Sequence, residues 1–150
     1  MVYMFLANGF EEVEALAPLD LLRRAGVKVT TVGIGGEYIT GSHGITVKAD
    51  VKDKKVKFED IEMVILPGGM PGTINLQKFK PLCEMLVSAK CPVAAICAAP
   101  SVLGGLGMLE GKKATCYPGF EDKLTGAEIS GLPVVVSDNI ITSRGAGTAH

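Results

Sequence analysis

Residues 2–34 read VYMFLANGFEEVEALAPLDLLRRAGVKVTTVGI. Val2 to Ala7 is a continuous apolar run, the pattern of a strand buried on both faces. Asn8 and Gly9 break it. Glu11 to Ala25 then reads as a helix, with Val13, Leu16, Leu19 and Leu22 on its apolar side. Glu11, Glu12 and Glu14 suit the positive N-terminal end, Arg23 and Arg24 the C-terminal end, and Gly26 is the expected C-cap. Pro18 falls inside this pattern and predicts a kink or a restart. Val27 to Ile34 is rich in β-branched residues and predicts a second strand. Strand, helix, strand in so short a span is a βαβ unit.

The same alternation continues. Short strands are expected near Glu37–Thr40 and Ile45–Lys48, and a solvated loop over Lys52–Lys57. Asp60–Leu66 enters a central strand, MVIL, which Pro67 ends. Gly68, Gly69 and Gly72 make a tight loop, and Thr73–Ala89 reads as one helix with Thr73 as N-cap. Pro92–Ile96 is another buried strand. Pro100–Leu109 reads as a helix, and Thr115–Tyr117, Val134–Val136 and Ile140–Ser143 as strands. Helices alternating with strands predict an α/β fold with a mostly parallel sheet covered on both faces. A Gly-rich turn after a strand ordinarily leads into a helix, so a C-terminal helix is expected to follow SRGAGTAH.

The 150 residues fit a single domain. Fifteen basic residues against 16 acidic ones give a net charge of -1. That leaves no basic excess for a phosphate backbone, so nucleic acid is not expected as a main partner. No stretch reaches the roughly 20 apolar residues that span a bilayer, and the N-terminus lacks the basic region of a signal peptide. A cytoplasmic protein with no membrane partner is expected. In a reducing compartment its four cysteines are thiols rather than bridges. There is no C-x-x-C pair and only two histidines, His43 and His150, so a zinc site of the usual spacings is not expected.

Ligands in such folds bind outside the carboxyl ends of parallel strands. Three segments leave strands there: Asn8–Gly9 towards Glu14, Pro67–Gly68–Gly69, and Cys97. Cys97 lies between Ala94–Ala95–Ile96 and Ala98–Ala99–Pro100, the small-residue turn of a nucleophile elbow. A helix N-terminus would bring its pKa from about 8.5 down to roughly 3.5–7.5. The alternative is a small buried cysteine ending a core strand. Glu14 reads either as a helix-dipole complement on a wet face or as a carboxyl beside the thiol with a raised pKa, able to move a proton. Gly68 and Gly69 are either turn residues or backbone donors to an oxyanion. Cys83 and Cys91 look structural. Cys116 lies in a short apolar segment, and His43 in a Gly-flanked, solvated turn.

Taken together, NGFEEVEALAPLDLLRRAGVKVTTVG, VILPGGMPGTINL, AAICAAPSVLGGLGML and ITSRGAGTA resemble the ThiJ/PfpI superfamily, collinearly from Met1 to His150. The nearest branch is the DJ-one (parkinsonism-associated deglycase) type, with bacterial relatives assigned to thiazole monophosphate biosynthesis. The resemblance implies a flavodoxin-like three-layer sandwich and a homodimer, with no cofactor and no metal. It implies that Cys97 is the nucleophilic, oxidation-sensitive cysteine and Glu14 the carboxyl bonded to it. Gly68, Gly69 and Ala98 would supply oxyanion-type donors, and Gly145 and Ala146 would line the pocket. It implies a glutathione-independent glyoxalase or deglycase acting on methylglyoxal or its adducts, or alternatively a redox-regulated stress sensor or chaperone without turnover. His43 aligns roughly with a basic residue that reaches towards the partner's site. Three departures stand out. Ala98 replaces the histidine that follows the cysteine in protease-like members. Lys123–Glu128 holds no histidine where the branch often has one. The family's C-terminal helix is absent from the sequence.

Overall fold

The computed structural model describes Met1–His150 throughout. The βαβ unit is present as β1 (Val2–Leu6), α1 (Glu12–Arg24) and β2 (Val29–Gly33), and the two strands pair in parallel. All five residues of β1 are buried, as its unbroken apolar run requires. Val2, Met4 and Leu6 face one side, where they meet Ala15 and Leu19 of α1. Tyr3 and Phe5 face the other side and join the larger core.

The hairpin β3 (Tyr38–Thr40) and β4 (Thr46–Lys48) forms its own two-stranded sheet. The next elements are β5 (Val51–Lys52), β6 (Met63–Leu66), α2 (Gly72–Lys78), α3 (Lys80–Ser88), β7 (Val93–Ile96) and α4 (Pro100–Gly105). The short strands β8 (Lys113–Ala114) and β9 (Glu128–Ile129) pair with each other. Last come β10 (Val134–Ser137) and β11 (Ile140–Ser143). The main sheet has seven strands in the order β10-β11-β7-β6-β1-β2-β5, all parallel except β10. Residues of α2, α3 and α4 pack on the face opposite α1, which completes the expected three layers.

Several boundaries differ from the sequence reading, each for a physical reason. α1 runs unbroken through Pro18. The proline costs the helix the bond its own N–H would have made and presses on the Glu14 carbonyl, but the helix continues past it without a restart. Gly26 ends the helix as expected. It adopts φ +82°, its N–H reaches the Arg23 carbonyl, and Val27 N–H reaches Leu22, the paired bonds of a Schellman cap. The single helix expected over Thr73–Ala89 is two helices. Pro81, in the first turn of α3, would clash with the Gln77 carbonyl in a continuous helix, and Phe79 is extended at φ -84°, ψ 91°. Thr73 is not the N-cap. It lies inside α2, and its buried Oγ1 has no hydrogen-bond partner. The expected loop at Lys52–Lys57 begins as edge strand β5, and Thr115–Tyr117 is irregular chain just after β8.

The inner side of α1 also differs. Val13 is 43% exposed, whereas Glu12 and Glu14 are buried. Burying a carboxyl without partners costs several kcal/mol, roughly 2–7 for a polar group. These two glutamates must therefore have partners.

Candidate active site

Strands β1, β6 and β7 are neighbours and run parallel, so their carboxyl ends share one rim of the sheet. β1 leads into α1, whose first turns carry Glu12 and Glu14. β6 leads into Pro67–Gly68–Gly69. β7 leads into Cys97. The topology brings together the three segments that the sequence had put at strand ends.

Cys97 is half-buried and takes φ +64°, a left-handed conformation uncommon for a residue with a side chain. Hydrogen bonds hold it there on both sides. Its N–H donates to the Ser143 carbonyl (2.9 Å), and its carbonyl accepts from Tyr117 N–H (2.9 Å). The sulfur sits beside the Glu14 carboxyl, since a single carbon built on Gly68 would touch both Glu14 Oε1 and Cys97 Cβ, and the backbone N–H groups of Gly69 and Ala98 are close enough to act on it. Ala98 is itself buried, and Ser101 Oγ donates to its carbonyl at 2.6 Å.

Glu14 is 2% exposed, and its Oε1 accepts the Gly68 N–H at 3.0 Å. Burial pushes its pKa up, the Glu11 charge adds to that, and bonds from Cys97 and Gly68 partly offset it, leaving a value of about 7. The donor role expected for Gly68 is therefore corrected: its N–H is already committed to Glu14. The Gly69 and Ala98 N–H groups are the ones near enough to the sulfur to oppose its raised pKa. Gly68 matters instead for its missing side chain. A Cβ there would lie 2.6 Å from Glu14 Oε1 and 2.7 Å from Cys97 Cβ, so only glycine lets β6 end this close to both groups.

The expected low thiol pKa is also corrected. Burial and the adjacent Glu14 carboxyl push Cys97 up to about 12, against smaller opposing effects of the Ala98 and Gly69 N–H groups. The helix that follows, α4, has only six residues, and its end does not offset burial and a carboxyl beside the sulfur. At neutral pH the thiol keeps its proton and Glu14 is near its midpoint. Burial also raises the other three thiols, Cys116 to about 11 with help from Glu121. Cys83 points at the Gln77 carbonyl (3.5 Å), away from the site.

Gly145 and Ala146 follow β11 and line a shallow depression together with Tyr117, whose main chain bonds the Cys97 carbonyl; Cys97 and Glu14 are not among its lining residues. Gly145 N–H bonds Thr148 Oγ1 at 3.2 Å.

Two features escaped the sequence reading. Glu12 clamps the β3–β4 turn: its carboxylate accepts the N–H groups of His43 (2.9 Å) and Ile45 (3.2 Å). Burial alone would raise its pKa, but bonds from its own backbone, Ile45 and His43 outweigh burial and hold it below the usual value. His43 lies in an exposed turn, as expected, but its main chain is docked on α1. Its Nδ1 lies 3.2 Å from oxygens of both Glu11 and Glu12. These three residues place potential ligand atoms within 4.8 Å of one another, but both Glu12 oxygens already accept N–H groups. The second feature is Tyr117, whose main chain holds the Cys97 carbonyl. No residue pattern in its neighbourhood, TCYPG, announces that contact.

Comparison with known proteins fixes the family. The model of the DJ-1/PfpI family matches residues 1–150, the whole chain. The chain belongs to the DJ-1/PfpI family. It is 37% identical to protein dj-1beta of Drosophila melanogaster over 98% of its own length and 82% of that protein. It is 38% identical to a Pyrococcus horikoshii protein named a deglycase, over 96% of this chain and 90% of that one. A solved structure described as oxidized DJ-1 of Toxoplasma gondii superposes with a TM-score of 0.93 at 37% identity, covering 99% of this chain and 83% of the other. No helix of this DJ-1/PfpI protein is long and apolar enough to cross a membrane.

Proposed function

We propose that this protein is a cysteine-dependent enzyme of the deglycase or glyoxalase type, acting on methylglyoxal or its adducts without glutathione. One observation carries the reading: a carboxyl only 2% exposed stands across Gly68 from the Cys97 side chain, and burial raises its pKa to about 7. A general base works best when its pKa lies near the operating pH.

As the Cys97 sulfur bonds to the aldehyde carbon, Glu14 takes the thiol proton and passes it to the aldehyde oxygen, giving a hemithioacetal. Glu14 then removes the proton from that carbon. The electron pair moves onto the neighbouring ketone oxygen as an enediolate; Glu14 returns the proton to the second carbon, and the hydroxyl proton on the first carbon passes to the second oxygen as the first becomes a carbonyl. The product is a thioester of lactate on Cys97. Water hydrolyses it, releasing lactate and the free thiol. Gly69 and Ala98 N–H groups stabilise the oxyanions formed along this path. The deglycase names among the relatives support the substrate class. A homodimer belongs to the same proposal, as does a cytoplasmic site of action.

The test is lactate formation from methylglyoxal with no glutathione present, with Cys97→Ser as the blank. Equal rates with and without the thiol would overturn the reading. Because Glu14 must be ionised to accept the first proton, kcat/KM should fall about tenfold per pH unit below pH 7. A profile flat between pH 5 and 7 would exclude Glu14 as the base.

A second reading, redox sensing through Cys97, is favoured by the two N–H groups near the sulfur and by the relative solved in an oxidized form. A sulfinate formed there would accept those N–H groups and the proton of neutral Glu14. Mild peroxide should then add two oxygens to Cys97 and none to Cys83, Cys91 or Cys116, as read by intact mass and fragment mapping. Oxidation spread over all four thiols would remove this reading.

A further inference from the structure

The two segments that hold the Cys97 peptide also carry side chains that the mechanism does not use. Ser143, which accepts the Cys97 N–H, is followed by Arg144. Tyr117, which donates to the Cys97 carbonyl, is 50% exposed. Between them lies a depression of about 410 Å³, lined also by Pro118, Pro133, Gly145 and Thr148.

Tyr117 is anchored through its main chain although half of the residue is exposed. Its main chain is bonded to the nucleophile, and the ring lies against Gly145, where a Cβ would sit 3.3 Å from Cδ2 and 3.8 Å from Cε2. Arg144 is equally uncommitted. Its guanidinium reaches only the Gly131 carbonyl, at 3.3 Å, and it forms no ion pair. An aromatic face and two prolines make a flat apolar wall, and a planar guanidinium matches a carboxylate.

We propose that Tyr117 and Arg144 form a specificity subsite beside Cys97 that takes a planar substituent bearing a carboxylate. This rests on Cys97 being the reacting atom, and it names the substrate class. The carbonyl carbon goes to the sulfur, as with methylglyoxal, and the subsite extends the substrate class to molecules that carry a flat anionic group in place of the methyl. Tyr117 and Arg144 act on binding and orientation, not on the chemical step.

The test is a titration followed by NMR shifts, with 4-acetamidobenzoate as probe and acetanilide and acetate as controls, on the Cys97→Ser protein so that no covalent step intervenes. Resonances of Tyr117, Arg144 and Gly145–Thr148 should shift and saturate with 4-acetamidobenzoate. Acetanilide should bind at least about fivefold more weakly, as expected for loss of a charge-assisted pair, and acetate should not saturate. Arg144→Gln should bring 4-acetamidobenzoate to the affinity of acetanilide. Tyr117→Leu should weaken it by at least about fivefold, while Tyr117→Phe should stay within about twofold. The Phe and Gln variants decide the matter if the Leu variant does not fold. Equal affinity for all three probes, shifts at other residues, or an unchanged affinity in Arg144→Gln would overturn the proposal. Because binding is read without the thiol, failure here is distinct from an absence of lactate formation in the native protein.

Discussion

Glu14→Gln is expected to lower methylglyoxal turnover by at least about 100-fold, the lower range for loss of a positioned acid–base group, while making the folded protein more stable at pH 8. The two effects have one origin. Gln keeps the shape and can still accept the Gly68 N–H, but it cannot move a proton. The folded state raises the Glu14 pKa from 4.5 to about 7. Between those values the folded chain binds more protons than the unfolded chain, so ionising this buried group costs stability as pH rises through the window. Below pH 4.5 both states are protonated and nothing is lost. The full cost above pH 7 is up to about 3 kcal/mol. Urea unfolding at pH 4 and pH 8 should therefore show near-equal stability for variant and wild type at the lower pH, and a gain of about 2–3 kcal/mol for Glu14→Gln at the higher one. A variant that keeps wild-type turnover would sink the mechanism. A variant equally destabilised at both pH values would mean that the carboxyl is not strained by burial.

Gly68→Ala is the second large effect. The added carbon would meet Glu14 Oε1 at 2.6 Å and both Cys97 Cβ and the Ile96 carbonyl at 2.7 Å. Two of these neighbours are backbone or backbone-attached atoms that cannot swing aside. Overpacking of this kind costs about 1–3 kcal/mol. The larger result is on turnover. A displacement near 1 Å between base and nucleophile can cost about 100-fold, so kcat/KM should drop by at least that much even where the fold survives. Gly36→Ala is the control, since a Cβ there meets nothing within 4 Å, and it should stay within about 0.5 kcal/mol of wild type with turnover intact. Similar behaviour of the two variants would show that the close approach at Gly68 carries no functional weight.

Much of this architecture was legible because buried parallel strands leave a plain record. VYMFL, MVIL and VAAI are short apolar runs bounded by turn residues, and each became a strand of the main sheet. The convergence of Glu14, the Pro67–Gly69 loop and Cys97 followed from strand ends sharing a rim. What periodicity could not convey was which residues accept burial for a polar reason. The helical pattern assigned Val13 inward, yet Glu12 is buried because the β3–β4 turn offers it N–H groups, contacts made with residues about 30 positions away. The split at Phe79 turned on one proline that the apolar spacing of Leu82 and Leu86 masked. The thiol pKa followed the wrong rule. A helix N-terminus lowers it, but burial, and after it the adjacent Glu14 carboxyl, raise it by more, and only the folded geometry shows both.

The double anchoring of the Cys97 peptide also sets a clock. Its N–H is held by β11 and its carbonyl by Tyr117, so neither the Cys97 nor the Tyr117 amide can exchange its hydrogen with solvent while β7, β11 and the segment after β8 stay together. Exchange at these two amides therefore requires an opening of the sheet itself, and their protection should approach that of the central strands. A reactive elbow built on strained backbone would thus be among the slowest-exchanging parts of the chain, and its strain is held by the most stable unit of the fold rather than by a mobile loop.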